Sequence, residues 1–423
     1  MFIAVLKEKV RMKEVYTWLP IEIQKKKIYS LTEFIDFISN IDTDIFYFRG
    51  ESELHNTRTA SIYRSVKMKG ISDGFSNNYL FFEDIINDYY QNIGNMIHLA
   101  EQENFIAFAQ HHGLPTPLLD ITTNPMTSLY FSVLNNNDFP GFVYLFDSRL
   151  SIDISRFLRG AEHSDFFEKI LHMDDKIFVK TIFEGLCDIC MSNEAEFFIF
   201  EFSLAQHIHH LLNQSKNFRG FDEDYVTTVE KIRKTDFFEE KIFQTVEELF
   251  SEEKYKYLSN WYIFSKNVAK EYLSFTEMIK QLCPENYDHN FTISQYSDRV
   301  SNYLFMLRMH FKQLNKSELC AYDFHNLPAF PQLIYTPTYL FDRMKAQDGL
   351  FFYQLGLHKV EPVYGAGSIE TQQYFPKHIL EIHNKNEILN QLDKIGVSRK
   401  SLFPDVDNIA QYLVKKHKAN LKK

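Results

Sequence analysis

Nowhere in the 423 residues does an apolar run approach the roughly 20 residues that a bilayer-crossing helix requires. The N-terminal stretch, MFIAVLKEKVRMKEVYTWLP, has too short an apolar core and charges in the wrong places for a secretory signal. The expectation is therefore a cytoplasmic protein with no membrane partner. Cysteine is scarce as well: four residues scattered over a chain of this size do not make a disulfide framework. Cys187 and Cys190 form a C-x-x-C, but Cys283 and Cys320 stand far apart, so a second pair at zinc-ligand spacing is lacking and buried thiols on a helix are the simpler reading. Positive charge is also short. A net charge of −10 and a pI near 5.9 give no global field toward nucleic acid or an anionic membrane, although a local basic groove is compatible with them. A nuclease would need clustered carboxylates and a basic track, and the sequence displays neither.

What is present is an ordinary globular composition, 45% hydrophobic and 24% charged, enough for one large or two medium domains. The chain is organised around residues 104–133, NFIAFAQHHGLPTPLLDITTNPMTSLYFSV. Phe105, Ile106, Phe108 and Ala109 end an apolar helical face, and Gly113 followed by Pro115 stops that helix, because glycine tolerates a left-handed cap and proline cannot extend it. Leu118 and Leu119 suit a short buried strand. Asn124 before Pro125 reads as a helix cap followed by the one helical position where proline's missing N–H does no harm, and Met126, Leu129, Tyr130 and Val133 continue that helix on one face. His111, His112, Thr116, Asp120 and Thr122 are thus pinned at the joints between core elements.

In chain order, alternation around Val15 to Ile23 predicts an edge strand, and Ser30 with Glu33 opens a helix. Ile45 to Phe48 reads as a strand that ends in Arg49 and Gly50, placing a cation at a strand edge beside a residue that lets a ligand approach the backbone. Residues 78–112 read as a long helical stretch with a break near Gly94. Gly141 to Phe146 is a continuous apolar run suited to an interior strand. Residues 151–320 are charged, aromatic and poor in glycine and proline, so they read as an all-helical insertion. Within it His207 and His210 share a helical face with no carboxylate at a helpful spacing, which favours a solvated surface over a metal site. Strand character returns at Gln332 to Tyr335 and Gly349 to Tyr353, and residues 384–394 and 405–415 read as closing helices.

Ile45-Phe46-Tyr47-Phe48-Arg49-Gly50, followed by AQHHGLPTPLLDITTNPMTSLYFS, resembles the FRG domain family, named for its Phe-Arg-Gly triplet. Two later stretches, Asp342 to Phe351 and Ile395 to Asp405, are similar to the family's C-terminal blocks. The sequence carries Pro117 where arginine is usual, Ile121 where tryptophan is usual and Ser128 where alanine is usual. The motif order also resembles ADP-ribosyltransferases: Arg49 ends an early strand, Asp120-Ile121-Thr122 stands where a Ser-x-Ser strand would, Ser128 to Ser132 follows on a helix, and Gln347 falls near the third motif.

The resemblance implies an α+β fold with an ADP-ribosyltransferase-like split β-sheet, assembled from residues 1–150 and 321–423 around the insertion. It also implies NAD as the substrate. Arg49, with Gly50 beside it, suits a pyrophosphate, and Arg64 and Arg343 are further anion contacts. Thr122 and Asp120 suit ribose hydroxyls, His111 or His112 suits the nicotinamide amide or a phosphate, Thr116 is a further cofactor-binding candidate, and Tyr130 suits stacking on the nicotinamide ring. Asp120, Gln347 and His112 are the candidate catalytic residues. Because Gln347 is uncharged, the carboxylate for an oxocarbenium-like transition state falls to Asp120, Glu361 or Glu370. The expected function is transfer of ADP-ribose to a protein or nucleic-acid acceptor, or hydrolysis of NAD, as an anti-phage toxin with an antitoxin or phage trigger as partner. The competing expectation is a non-catalytic module that senses a nucleotide or a phage component.

Overall fold

The computed structural model describes residues 23–55, 58–64, 82–134, 138–158, 175–193, 329–339, 341–360 and 367–420, together with positions 196, 197, 200, 204, 300 and 303. His207, His210 and residues 15–22 of the strand expected at Val15 to Ile23 lie outside them, as do Cys283, Cys320 and Glu361.

Ten strands are described: β1 (Gln24–Ile28), β2 (Phe46–Glu51), β3 (Leu118–Thr122), β4 (Gly141–Asp147), β5 (Ser151–Asp153), β6 (Gln332–Tyr335), β7 (Gly349–Tyr353), β8 (Gly356–Val360), β9 (Gly367–Thr371) and β10 (His378–Ile382). Eight of them make one mixed sheet in the order β1-β10-β4-β2-β3-β7-β6-β5, and β8 pairs with β9 in a separate ribbon. The pairs inside the sheet are antiparallel, while β1 and β5 join its two edges in parallel. The protein is thus an α+β structure.

β4 shows why the sheet lies at the centre. All seven of its residues are buried, with Phe142, Tyr144 and Phe146 facing one core and Val143 and Leu145 the other. A strand covered on both faces needs no polar alternation. Helices Leu31–Ser39, Pro125–Val133 and Lys385–Lys394 cover one face, contributing Phe34, Leu129 and Ile388. Helices Phe82–Ile93, Phe105–His111 and Asp175–Ser192 cover the other with Ile86, Phe108 and Leu186.

The local rules predict the helix ends well. Ser30 accepts from the Glu33 N–H at 3.2 Å while the Glu33 carboxylate accepts from the Tyr29 N–H at 2.7 Å. Asn124 accepts from the Met126 N–H at 2.9 Å, and Gly113 takes φ +88. The helical stretch before Gly113 is broken at Gly94–Met96, as its sequence implies, and a second time at Asn104, whose side chain bonds Thr338.

Two expectations need correction. Residues 151–153, assigned to the helical insertion, are β5, paired with β6. Their register is fixed by Gln332 to Ile334, nearly two hundred residues away, which no local pattern reveals. Cys190, with the following Phe197, Phe200 and Leu204, packs into the same core as the sheet, so the segment's beginning belongs to the main body.

Candidate functional site

β2 holds a six-residue antiparallel ladder with β4, but it meets β3 at one position, Phe48 opposite Thr122. Beyond that pair the two strands separate. Arg49 fills the opening: its Nη1 donates to the Asp120 carbonyl at 2.6 Å, and its Nε donates to Glu51 Oε1 at 2.8 Å. The strand runs on to Glu51, so Arg49 sits inside it rather than at its end.

Two adjoining cavities flank this arginine and share Arg49, Gly50 and Phe131 as lining. The smaller, about 200 Å³, is bounded by Asp120, Thr122, Thr127, Arg343 and Gln347. The larger, about 530 Å³, is bounded by Glu51, Ser52, His55, Arg58, Thr59 and Arg64. The larger falls within the size range of small-ligand pockets, and the smaller is a recess beside it.

Six of the expected site residues line the smaller cavity: Arg49, Gly50, Asp120, Thr122, Arg343 and Gln347. Asp120 is exposed on β3, with the Gln110 amide 3.5 Å from its Oδ2. Thr122 donates its hydroxyl to the Gln347 carbonyl at 2.7 Å and accepts from the Asn124 N–H, so it braces the cavity floor. Gln347 is the last residue of helix Asp342–Gln347, two residues before β7, and its amide donates to the Leu402 carbonyl at 2.8 Å. Asp348 follows in the left-handed region at φ 47, holding Asn124 Nδ2 with its carboxylate.

Gly50 borders both cavities, and its lack of a side chain has a packing cause. A Cβ there would lie 1.8 Å from the Ser128 carbonyl oxygen of helix Pro125–Val133. The same helix rests on Gly141 through Ser132.

Four candidates are not brought into either cavity. Tyr130 is 3% exposed and faces the core beneath helix Lys385–Lys394, where burial pushes its hydroxyl pKa up to about 12. The ring that the helix presents to the site is its neighbour Phe131. His111 stacks on Phe341, ring centroids 4.9 Å apart, and His112 closes helix Phe105–His111 against Phe108. Desolvation, with the charges of His112 and Arg343, lowers the His111 pKa despite Asp405. Thr116 is fully buried: its hydroxyl bonds Gln110 and accepts from the Leu118 N–H, and its own N–H donates to Ser61 Oγ at 3.1 Å. It ties the segment carrying Arg64 to the start of β3. Glu51, Arg58, His55 and Phe131 are the lining residues that motif reasoning missed. The signal for Glu51 was available, since a residue two places from Arg49 on a strand shares its face.

The architecture defines a mixed α+β domain whose cation-lined cleft opens where two central strands part. Residues 44–140, which supply β2, β3 and helix Pro125–Val133, match the FRG domain family, so the chain carries an FRG domain. No curated protein and no solved structure shows significant similarity to the chain. Among the described residues no helix is long and apolar enough to cross a membrane, and no cluster of three metal-ligating side chains occurs.

Proposed function

We propose that the protein is an NAD-using enzyme of ADP-ribosyltransferase type, which transfers ADP-ribose to a macromolecule or hydrolyses NAD. The observation that carries this reading is the position of Arg49, an arginine at the parting of two central strands and at the junction of two cavities. A guanidinium held from one side by Glu51 and the Asp120 carbonyl keeps its remaining donors for a pyrophosphate. Asp120 and Thr122 on the adjacent strand lie within the smaller cavity, where ribose hydroxyls would be held, and Phe131 supplies an apolar wall for the nicotinamide ring. The proposed biological role is a toxin in anti-phage defence, supported only by the family resemblance.

The second reading is a non-catalytic nucleotide sensor. It is favoured by Gln347, an uncharged residue whose amide is already committed to Leu402. NAD turnover by the purified protein, with detection of ADP-ribose on protein and nucleic acid from added extract, separates the two. The enzyme reading predicts turnover that Arg49→Ala abolishes, and growth arrest on overexpression that the same change relieves. NAD binding without turnover under any of these conditions leaves the sensor.

A further inference from the structure

The larger cavity is chemically different from the smaller one. Its lining gathers the guanidinium groups of Arg49, Arg58 and Arg64, together with His55, in a chain whose net charge is −10. Besides Arg49, two of these cations are held by hydrogen bonds to the backbone. Arg58 is 9% exposed, donates from Nη2 to the Tyr374 carbonyl at 2.9 Å and lies over the Tyr144 ring at 4.8 Å. Arg64 is exposed and donates from Nε to the Thr59 carbonyl at 3.0 Å. Preorganised cations converging on one hollow are what an oxyanion requires, because little side-chain freedom remains to be lost when it binds.

Among the described residues a single acid lines the same hollow. Glu51 is 6% exposed; its Oε1 accepts from Arg49, but Oε2 is buried and has no hydrogen-bond partner among the described residues. A buried carboxylate oxygen left without a donor is costly, and a ligand hydroxyl arriving from the cavity would supply one. Such a ligand carries an anion and a hydroxyl a short distance apart.

We propose that the 530 Å³ cavity binds a ribose phosphate unit, with Arg58, Arg64 and His55 facing the phosphate and Glu51 Oε2 accepting from a sugar hydroxyl. The proposal rests on the reading of Arg49 as a nucleotide ligand. The ribose phosphate comes either from the adenylate half of NAD or from a separate nucleotide acceptor.

Calorimetric titration of the full chain with AMP, ribose 5-phosphate, adenosine and inorganic phosphate tests it. AMP and ribose 5-phosphate are expected to bind more tightly than adenosine, and Arg64→Ala is expected to weaken AMP about tenfold or more. Glu51→Gln is expected to weaken ribose 5-phosphate while leaving inorganic phosphate unchanged. If Glu51→Gln does not fold, the exposed Arg64 still decides. NAD competing with AMP assigns the cavity to the adenylate half, whereas simultaneous binding assigns it to an acceptor, and both sustain the proposal. It is overturned if AMP does not bind, or binds Arg64→Ala as tightly as the parent. NAD turnover is scored separately: turnover without AMP binding spares the enzyme reading and removes this one, and AMP binding without turnover does the reverse.

Discussion

Arg49 contacts both sides of the gap between β2 and β3, and its geometry predicts that its charge alone is insufficient. A lysine carries one compact donor head and cannot bridge Glu51 and the Asp120 carbonyl while facing a ligand, as a planar fork does. Arg49→Lys is expected to keep the fold but lose nucleotide binding at least as far as Arg64→Ala, measured by the same titration; full binding in the lysine variant would sink the forked role. Gly50 next to it is constrained by packing. Gly50→Ala forces its methyl into the Ser128 carbonyl and should lower the melting temperature, with an overpacking cost of about 1–3 kcal/mol. Motif reasoning singled out Arg49, Asp120 and Thr122 on short, well-defined elements that line one cavity in the structure. It failed at Tyr130 for a physical reason. Helix Pro125–Val133 is buried around most of its circumference, so periodicity does not say which aromatic faces the cavity, and Phe131 does.

Caps and stops carried the element boundaries, because each is a local backbone requirement visible in a few residues. Ser30, Gly113 and Asn124 all act as their sequence positions imply. Strand β5 was illegible because its three residues acquire their structure from a distant partner. The end of helix Phe105–His111 carries its own pH dependence. Burial lowers the His111 pKa, and it does the same at His378, where Lys377 adds to it. The folded state therefore favours the neutral rings. Their contribution is fully present above the ordinary histidine value of 6.5 and is lost as pH falls below it toward the depressed folded values. The difference in melting temperature between about pH 7.5 and about pH 5.5 should shrink in His111→Gln. An unchanged difference would place the acid sensitivity elsewhere. Asp147 acts in a lower window. Burial raises its carboxyl pKa, but the hydrogen bonds and charge of Arg149 and the charge of Lys377 outweigh that and hold it below the usual 3.8. Its contribution is present above that value and disappears as pH falls through the folded one.

At the scale of the molecule, the sheet is assembled from both ends of the chain. β10 lies between β1 and β4, and β7 closes on β3 beside the site. The C-terminal part also reaches the cavity wall directly, since buried Lys385 donates from Nζ to the Ser52 carbonyl at 2.7 Å, one residue beyond Glu51. The matched domain at residues 44–140 contains the two strands that part but not β4 or β7, which flank them. Truncations should therefore divide sharply by position. A chain ended after Lys377 loses β10, which leaves β1 without its ladder and opens the long apolar edge of β4, and it is expected to aggregate without a cooperative melt. A chain ended after Asp405 loses only helix Val406–Asn420, whose Val406, Leu413 and Val414 are exposed and whose Tyr412 hydroxyl donates to Asp393. That shorter chain is expected to melt cooperatively and to bind AMP as the full chain does. Aggregation of the second truncation would show that the last helix is integral to the fold, and a soluble, cooperative first truncation would show that the rest of the sheet folds without β10.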